Sequence, residues 1–253
     1  MDIITSTSNP VVKRLRALKD AKARRETGLF LVEGEVMIFE ALKCGLRPAE
    51  ALAQAESEAL DALKNAGARV YLAARSAIES ACDTKTPQGI CASFEITQKD
   101  ALGCGARRLI ALDGVQDPGN VGTIWRTADA AGFDGILFGQ GCADPYSPKV
   151  QRAAMGSGFR VPIRECVLTD ALAEYGSRGY TIVTSALDGD DLYARAPLGD
   201  KGFILVIGNE AKGVSKPVQA LSGMRLKIPM RGGAESLNAA VAAGILMYEL
   251  TKD

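Results

Sequence analysis

The run Phe203-Ile204-Leu205-Val206-Ile207 holds five apolar residues with no polar member among them. A strand with water on one face alternates apolar and polar side chains, so this run is predicted to be covered on both faces, as in a parallel sheet between helices. The surrounding sequence supplies the partners. RLIALDGV (108–115), GILFGQG (135–141), YTIVTSAL (180–187) and RLKIPM (225–230) read as further strands. GTIWRTADAAG (122–132), SPKVQRAAMGSG (147–158), residues near 169–176 and the C-terminal stretch read as helices. Alternation of this kind defines the α/β class.

A smaller alternation precedes it. Ser8 or Asn9 followed by Pro10 starts a helix, with Val12, Leu15 and Leu18 as its apolar stripe and Thr27-Gly28 as its end. LFLVEG, ARVYLAA and GICASFEI are strands, and EVMIFEALKCG is a helix closed by Gly45. Residues 97–108 lose apolar periodicity and gain two glycines, which marks a linker. The expected division is therefore a small α/β domain over 1–99 and a larger one over 100–253.

Composition narrows the chemistry. The 253 residues include no histidine, which removes imidazole bases, Ser-His-Asp and Cys-His machinery and most catalytic zinc sites. Six cysteines form no CxxC pair, so they are read as reduced, buried hydrophobes and no metal is expected. The longest wholly apolar stretch, Ala239–Tyr248, falls short of the ~18 residues a membrane span requires and is read instead as a helix deep in a core. The N-terminus has no secretory h-region, so a cytoplasmic, membrane-free protein is expected. Net charge is zero, yet residues 1–25 carry seven Lys and Arg against Asp2 and Asp20. A basic helix of this kind is either a solvated face or a phosphate-contacting arm.

Three polar, glycine-containing clusters fall at strand ends, where parallel sheets place ligands: DGVQDPGNVG, IGNEAKGVS and PMRGGAESLN. In the first, Asp117-Pro118-Gly119 reads as a turn, Asn120 as a helix cap, and Arg126 as projecting along Asn120's side of the helix. The second is neither a Walker loop nor a dinucleotide fingerprint, which disfavours an unrelated nucleotide-binding α/β protein. In the third, Ser236 and Asn238 exceed what one helix cap needs, so the surplus is read as belonging to a site.

Together DPGNVGTIWRTADAAG, VIGNEAKGVS and IPMRGGAESLNAAVAAG resemble, in order and spacing, the three motifs of the SpoU (TrmH-like) RNA 2′-O-ribose methyltransferases of the SPOUT superfamily. Residues 1–96 resemble the small ribosomal-protein-like α/β substrate-binding domain that precedes many of them. The resemblance implies a C-terminal SPOUT domain with a parallel sheet and a trefoil knot, S-adenosylmethionine as cofactor, and a homodimer. It implies a polar active site of Asn120, Arg126, Glu210, Ser236 and Asn238. Cofactor contacts would come from Ile207, Gly208, Asn209, Glu210, Ile228, Met230, Ser236, Leu237 and Asn238. Lys13, Arg14, Arg16, Lys149 and Arg152 are assigned to RNA, with Arg24 and Arg160 adding to one positive side. Ribosomal RNA is the expected substrate; transfer RNA, or RNA binding without catalysis, are the alternatives.

Overall fold

The computed structural model describes residues 3–96, 102, 105–198 and 202–252. Most of the linker expected over 97–108 lies outside them. Two compact units divide the chain. Met1–Thr97 with Asp144–Phe159 form one, and Gln98–Ala143 with Arg160–Asp253 form the other.

In the first unit, Asn9 caps helix α1 (Pro10–Ala17), its Oδ1 accepting from the Val11 N–H at 2.8 Å. The single helix expected to run on to Gly28 is two. Asp20 competes for backbone N–H groups, accepting from Lys22 at 2.7 Å, and so starts α2 (Ala21–Thr27). The carbonyls left at the break are taken by Arg24, which donates to Leu18 O at 2.7 Å and Lys19 O at 2.9 Å and pairs with Asp144 at 2.6 Å. Arg24 is buried. It closes a helix end and is not part of a surface charge patch, contrary to expectation.

The chain continues through β1 (Leu29–Glu33), α3 (Glu35–Lys43), β2 (Pro48–Ala53), α4 (Glu58–Asn65), β3 (Arg69–Leu72), α5 (Arg75–Ala81) and β4 (Ile90–Glu95). The sheet order is β1-β4-β2-β3, with β2 and β3 parallel and β4 antiparallel to both of its neighbours. Phe30, Ile38, Leu60, Leu63 and Phe94 fill one face. Val12, Leu15, Leu31, Leu52 and Ile78 fill the other. One row on that second face runs Leu31, Ser93, Glu50, Arg69 across the four strands.

The second unit contains β5 (Arg108–Asp113), α6 (Pro118–Ala130) and β6 (Gly135–Phe138). The chain then makes its excursion into the first unit as α7 (Pro148–Ala154), passes through the short α8 (Ser157–Arg160), and returns as β7 (Ile163–Glu165). It goes on through α9 (Leu168–Ser177), β8 (Thr181–Asp191), β9 (Phe203–Gly208), α10 (Lys216–Gln219), β10 (Met224–Lys227) and α11 (Ala239–Leu250). The six strands are all parallel in the order β10-β8-β9-β5-β6-β7. All six residues of β9 are buried, as the run of apolar residues required.

The chain leaves β5 toward β6 and leaves β9 toward β10, in opposite directions along the sheet. The carboxyl ends of β5 and β9 are therefore the topological switch point, where the diverging loops leave a crevice. Helix α11 departs from the deeply buried helix expected. Ala240, Ala243, Leu246, Met247 and Leu250 are buried, but Val241 and Tyr248 are 52% and 53% exposed. Among the described residues no helix is long and apolar enough to cross a membrane.

The buried Glu50 carboxylate is held by Arg14 and Arg69, each at 2.8–2.9 Å from Oε1. Replacing both arginines with alanine strands that charge and is expected to cost roughly 3–5 kcal/mol in urea unfolding, with either single change costing much less.

Candidate active site

The loop after β5 and the loop after β9 meet at the switch point through their own polar groups. Asp117, rather than Asn120, caps α6, its Oδ1 accepting from the Asn120 N–H at 2.8 Å with Pro118 in the first turn. The aspartate before a proline was the better cap signal. Its consequence is that the Asn120 side chain is free for other bonds.

Asn120 Nδ2 donates to Glu210 Oε1 at 3.0 Å, and the backbone N–H groups of Gln116 and Asp117 donate to the same carboxylate at 3.2 Å. An ionised carboxylate only accepts, so it fixes which end of the Asn120 amide faces it. Asn120 Oδ1 is left to accept from Asn238 Nδ2 at 2.8 Å. That in turn leaves Asn238 Oδ1 to accept from the N–H groups of Ala240 and Val241 at 2.9 and 3.3 Å, capping α11. One directed chain thus joins all three loops to a helix start, and Asn238 both caps that helix and bonds to Asn120.

Burial alone would raise the Glu210 carboxyl. The hydrogen bonds from Asn120 and from the backbone N–H groups of Glu210, Asp117 and Gln116 outweigh it and hold the group below the usual carboxylate range. Asn209 ties the same loops from beside it. Its Nδ2 donates to Gly114 O at 2.8 Å, and its Oδ1 accepts from the Ala211 and Lys212 N–H groups at 3.0 and 3.1 Å. Asp113, at the end of β5, accepts from the Ser215 N–H at 2.7 Å. The sequence reading missed Asp113, whose only signal was its place at a strand end. Gly208 is required for a steric reason, since a Cβ there would sit 2.1 Å from Val214 N.

Not every expected residue joins this cluster. Arg126 is exposed and, among the described residues, makes no hydrogen bond or ion pair. Six residues beyond Asn120 carry it about 120° around the helix, so it does not share Asn120's side as expected. Ser236 is exposed without a hydrogen bond among the described residues. Ile207 and Gly208 end β9, while Ile228 and Met230 lie half-buried just past β10, at the same carboxyl end of the parallel sheet but with β8 between them. Residues 231–238 are all exposed, and a Cβ on Gly232 or Gly233 would meet no atom within 4 Å.

The basic residues scatter as well. Arg14 turns to Glu50, whereas Arg16 donates to Ser80 Oγ at 3.1 Å and Lys19 to Ser80 O at 3.0 Å on α5. The first helix therefore does not gather its charges on one side. Arg152 pairs with Asp83 at 2.8 Å and Arg160 with Asp129 at 2.7 Å, whereas Lys13 and Lys149 are exposed. No group of three or more potential metal-ligating side chains occurs among the described residues.

An adenosyl and a methionyl group need apolar contact and backbone hydrogen bonding. Ile228, Met230 and Leu237, the last 37% exposed, offer the first beside the glycine-bearing strand ends, so the residues present fit S-adenosylmethionine.

Residues 107–248 match the SpoU rRNA methylase family and residues 9–92 an MRM3-like substrate binding domain. The chain is 37% identical to the Bacillus subtilis 23S rRNA (guanosine(2553)-2′-O)-methyltransferase RlmP, with 99% of each chain covered. It is similar to the AdoMet-bound rRNA methyltransferase of Sinorhizobium meliloti, with a TM-score of 0.90 and 33% identity over 98% of this chain and 97% of that one. It is also similar to AviRb of Streptomyces viridochromogenes in complex with AdoMet, with a TM-score of 0.86 and 28% identity over 96% and 97%.

Because the folded Glu210 pKa lies below its unfolded value, the stability it contributes is complete above the unfolded value and is lost as pH falls through the folded one. Thermal melts should show a wild-type advantage over Glu210→Gln that is constant from about pH 7 down to about pH 5 and shrinks progressively at lower pH.

Proposed function

The chain belongs to the SpoU rRNA methylase family, an RNA 2′-O-methyltransferase that uses S-adenosylmethionine, and from that premise we propose that its substrate is a ribose 2′-hydroxyl of 23S ribosomal RNA. The observation that carries the reading of the site is the chain Glu210, Asn120, Asn238, which ties three loops together at the switch point of a parallel sheet. The assignment to 23S RNA is supported by end-to-end likeness to RlmP, including the residues that precede the methylase region.

S-adenosylmethionine, when bound, supplies an electrophilic methyl group on a sulfonium. The protein's own work is to hold donor and acceptor in line and to exclude water. Glu210 accepts hydrogen bonds as an anion and so fixes the amide orientations of Asn120 and Asn238. With backbone groups around Ile207, Gly208, Ile228, Met230 and Leu237, and with Ser236 and Asn209, these residues form the cofactor side. A guanidinium offers only donors and positive charge, so we assign Arg126 to electrostatic work: binding the phosphate next to the target ribose and stabilising the negative charge that develops on the attacking oxygen. Lys13, Arg16 and Lys149 are assigned to RNA phosphates as well. The family resemblance also supports a trefoil knot in the second unit and a cytoplasmic location.

We further propose a homodimer. Helix α11 is almost wholly apolar, yet Val241 and Tyr248 face solvent, and an exposed apolar stripe of this kind fits a second copy.

Methyl transfer from labelled S-adenosylmethionine to transcribed 23S RNA tests the activity. Arg126→Ala should lower turnover by about 10²–10³-fold while cofactor binding by calorimetry stays intact; near-normal turnover removes Arg126 from the site. In sedimentation equilibrium, Val241→Glu combined with Tyr248→Glu should convert a dimer to a monomer with the fold retained, and a wild-type monomer would refute the dimer outright.

A further inference from the structure

The row of residues across the first sheet contains a feature that folding alone does not explain. Glu50 lies on the covered face of β2, with 4% of its surface accessible. The apolar side chains that fill that face include Leu52 on its own strand, Leu31 and Ile78. Its backbone N–H donates to Ser93 Oγ at 3.1 Å, and Ser93 Oγ donates back to Glu50 O at 3.3 Å. An apolar residue at such a position is generally as stable as a buried ion pair or more so. The carboxylate has one formal charge, and Arg14 already engages both of its oxygens, Nε to Oε2 at 2.9 Å and Nη2 to Oε1 at 2.8 Å. Arg69 then adds a second guanidinium, Nη2 at 2.9 Å from Oε1.

The arrangement carries a net positive charge, and its two cations are open. The Arg14 and Arg69 side chains are 52% and 69% exposed, while the anion between them is 5% exposed. A guanidinium has five N–H donors. Arg14 uses two of its five on Glu50, and Arg69 meets Glu50 as an ion pair, so most donors of both guanidiniums face water. Arg69 begins β3, the edge strand of its sheet, and among the described residues only the Ile4–Ala73 bridge, at the other end of that strand, lies beyond it. A pair of guanidiniums with fixed positions and unspent donors suits a phosphodiester, because holding them in place beforehand lowers the entropy lost on binding.

We infer that Arg14 and Arg69, positioned by the buried Glu50, form a clamp for a backbone phosphate of the RNA substrate. The inference rests on the RNA methyltransferase reading and extends it to a site on the first unit. Arg14 and Arg69 contact the phosphate, and Glu50 is a positioning residue that acts only through them. A phosphate contact of this kind strengthens binding without reading sequence, so it sets where the RNA lies and not which base is chosen.

The test is binding of the full-length protein to transcribed 23S RNA over a range of salt concentrations, for wild type, Arg69→Gln and Arg69→Lys. Arg69→Gln leaves the Arg14–Glu50 pair in place. It should weaken binding by about 3–10-fold and reduce the slope of log K against log salt by about 0.7–0.9, the value of one phosphate contact. Arg69→Lys keeps the charge and should keep the slope. Calorimetric binding of S-adenosylmethionine should be the same in all three. Unchanged affinity and slope in Arg69→Gln would overturn the clamp, and methylation of that RNA by the wild type would then leave the parent reading intact. A drop in affinity that comes with a lowered melting temperature and is not restored by lysine would overturn it too, in favour of a structural role. Wild-type protein that neither binds nor methylates 23S RNA would overturn both.

Discussion

The second unit depends on one anion that can only accept. Glu210 receives two backbone N–H groups and the Asn120 amide, and from that moment the amide orientations of Asn120 and Asn238 are decided in sequence. A neutral glutamine in its place could present either end, and the chain would lose its direction. The same bonds hold the β5 loop, the β9 loop and the start of α11 in one arrangement. Three segments far apart in sequence thereby share a single polar centre at the point in the sheet where the connections of β5 and β9 diverge. The cost of partly burying the carboxylate is offset by the donors around it, which is why its pKa falls despite the burial.

Two carboxylates, the exposed Glu210 and the buried Glu50, work differently. Glu210 is surrounded by neutral donors and acts as an orienting acceptor. Glu50 is surrounded by guanidiniums and acts as an anchor for charge. Backbone and amide donors leave no free positive charge at the first, whereas two cations around one anion leave a surplus at the second. Electrostatics therefore distinguishes a site built for geometry from one built for attraction, though both look alike as acidic residues in a sequence.

Much of the second unit was legible. The apolar run 203–207 required burial on both faces, and the sheet is parallel throughout. The three clusters that end its strands were visible as polar, glycine-containing breaks. What the sequence could not express was which polar side chain caps and which is spared. Asn120 and Asp117 are both good caps, and only the proline after Asp117 decides between them. In the first unit, β2 reads PAEALA, which has little strand propensity; neighbouring strands impose the conformation on it. The break between α1 and α2 was missed because no glycine or proline marks it, while Asp20 and the buried Arg24 rearrange the backbone bonds. Basic residues misled for a related reason. A formal charge on a helix says nothing of its partner, and Arg14, Arg16 and Arg24 go to three separate acceptors.

Helix α11 illustrates a limit that holds for any apolar stretch. Its composition reports that water is excluded from nearly every side, and periodicity cannot divide that exclusion between the chain's own core and another surface. The structure makes the division. Ala240, Ala243, Leu246, Met247 and Leu250 face inward, while Val241 and Tyr248 stand on the opposite side. A monomer would leave that second side in water at a cost that grows with its apolar area. The first turn of the same helix carries Asn238, whose amide closes the polar chain from Glu210. Anything that packs against the exposed side of α11 therefore also steadies the helix whose start completes the site, and association and site geometry share one element of the fold.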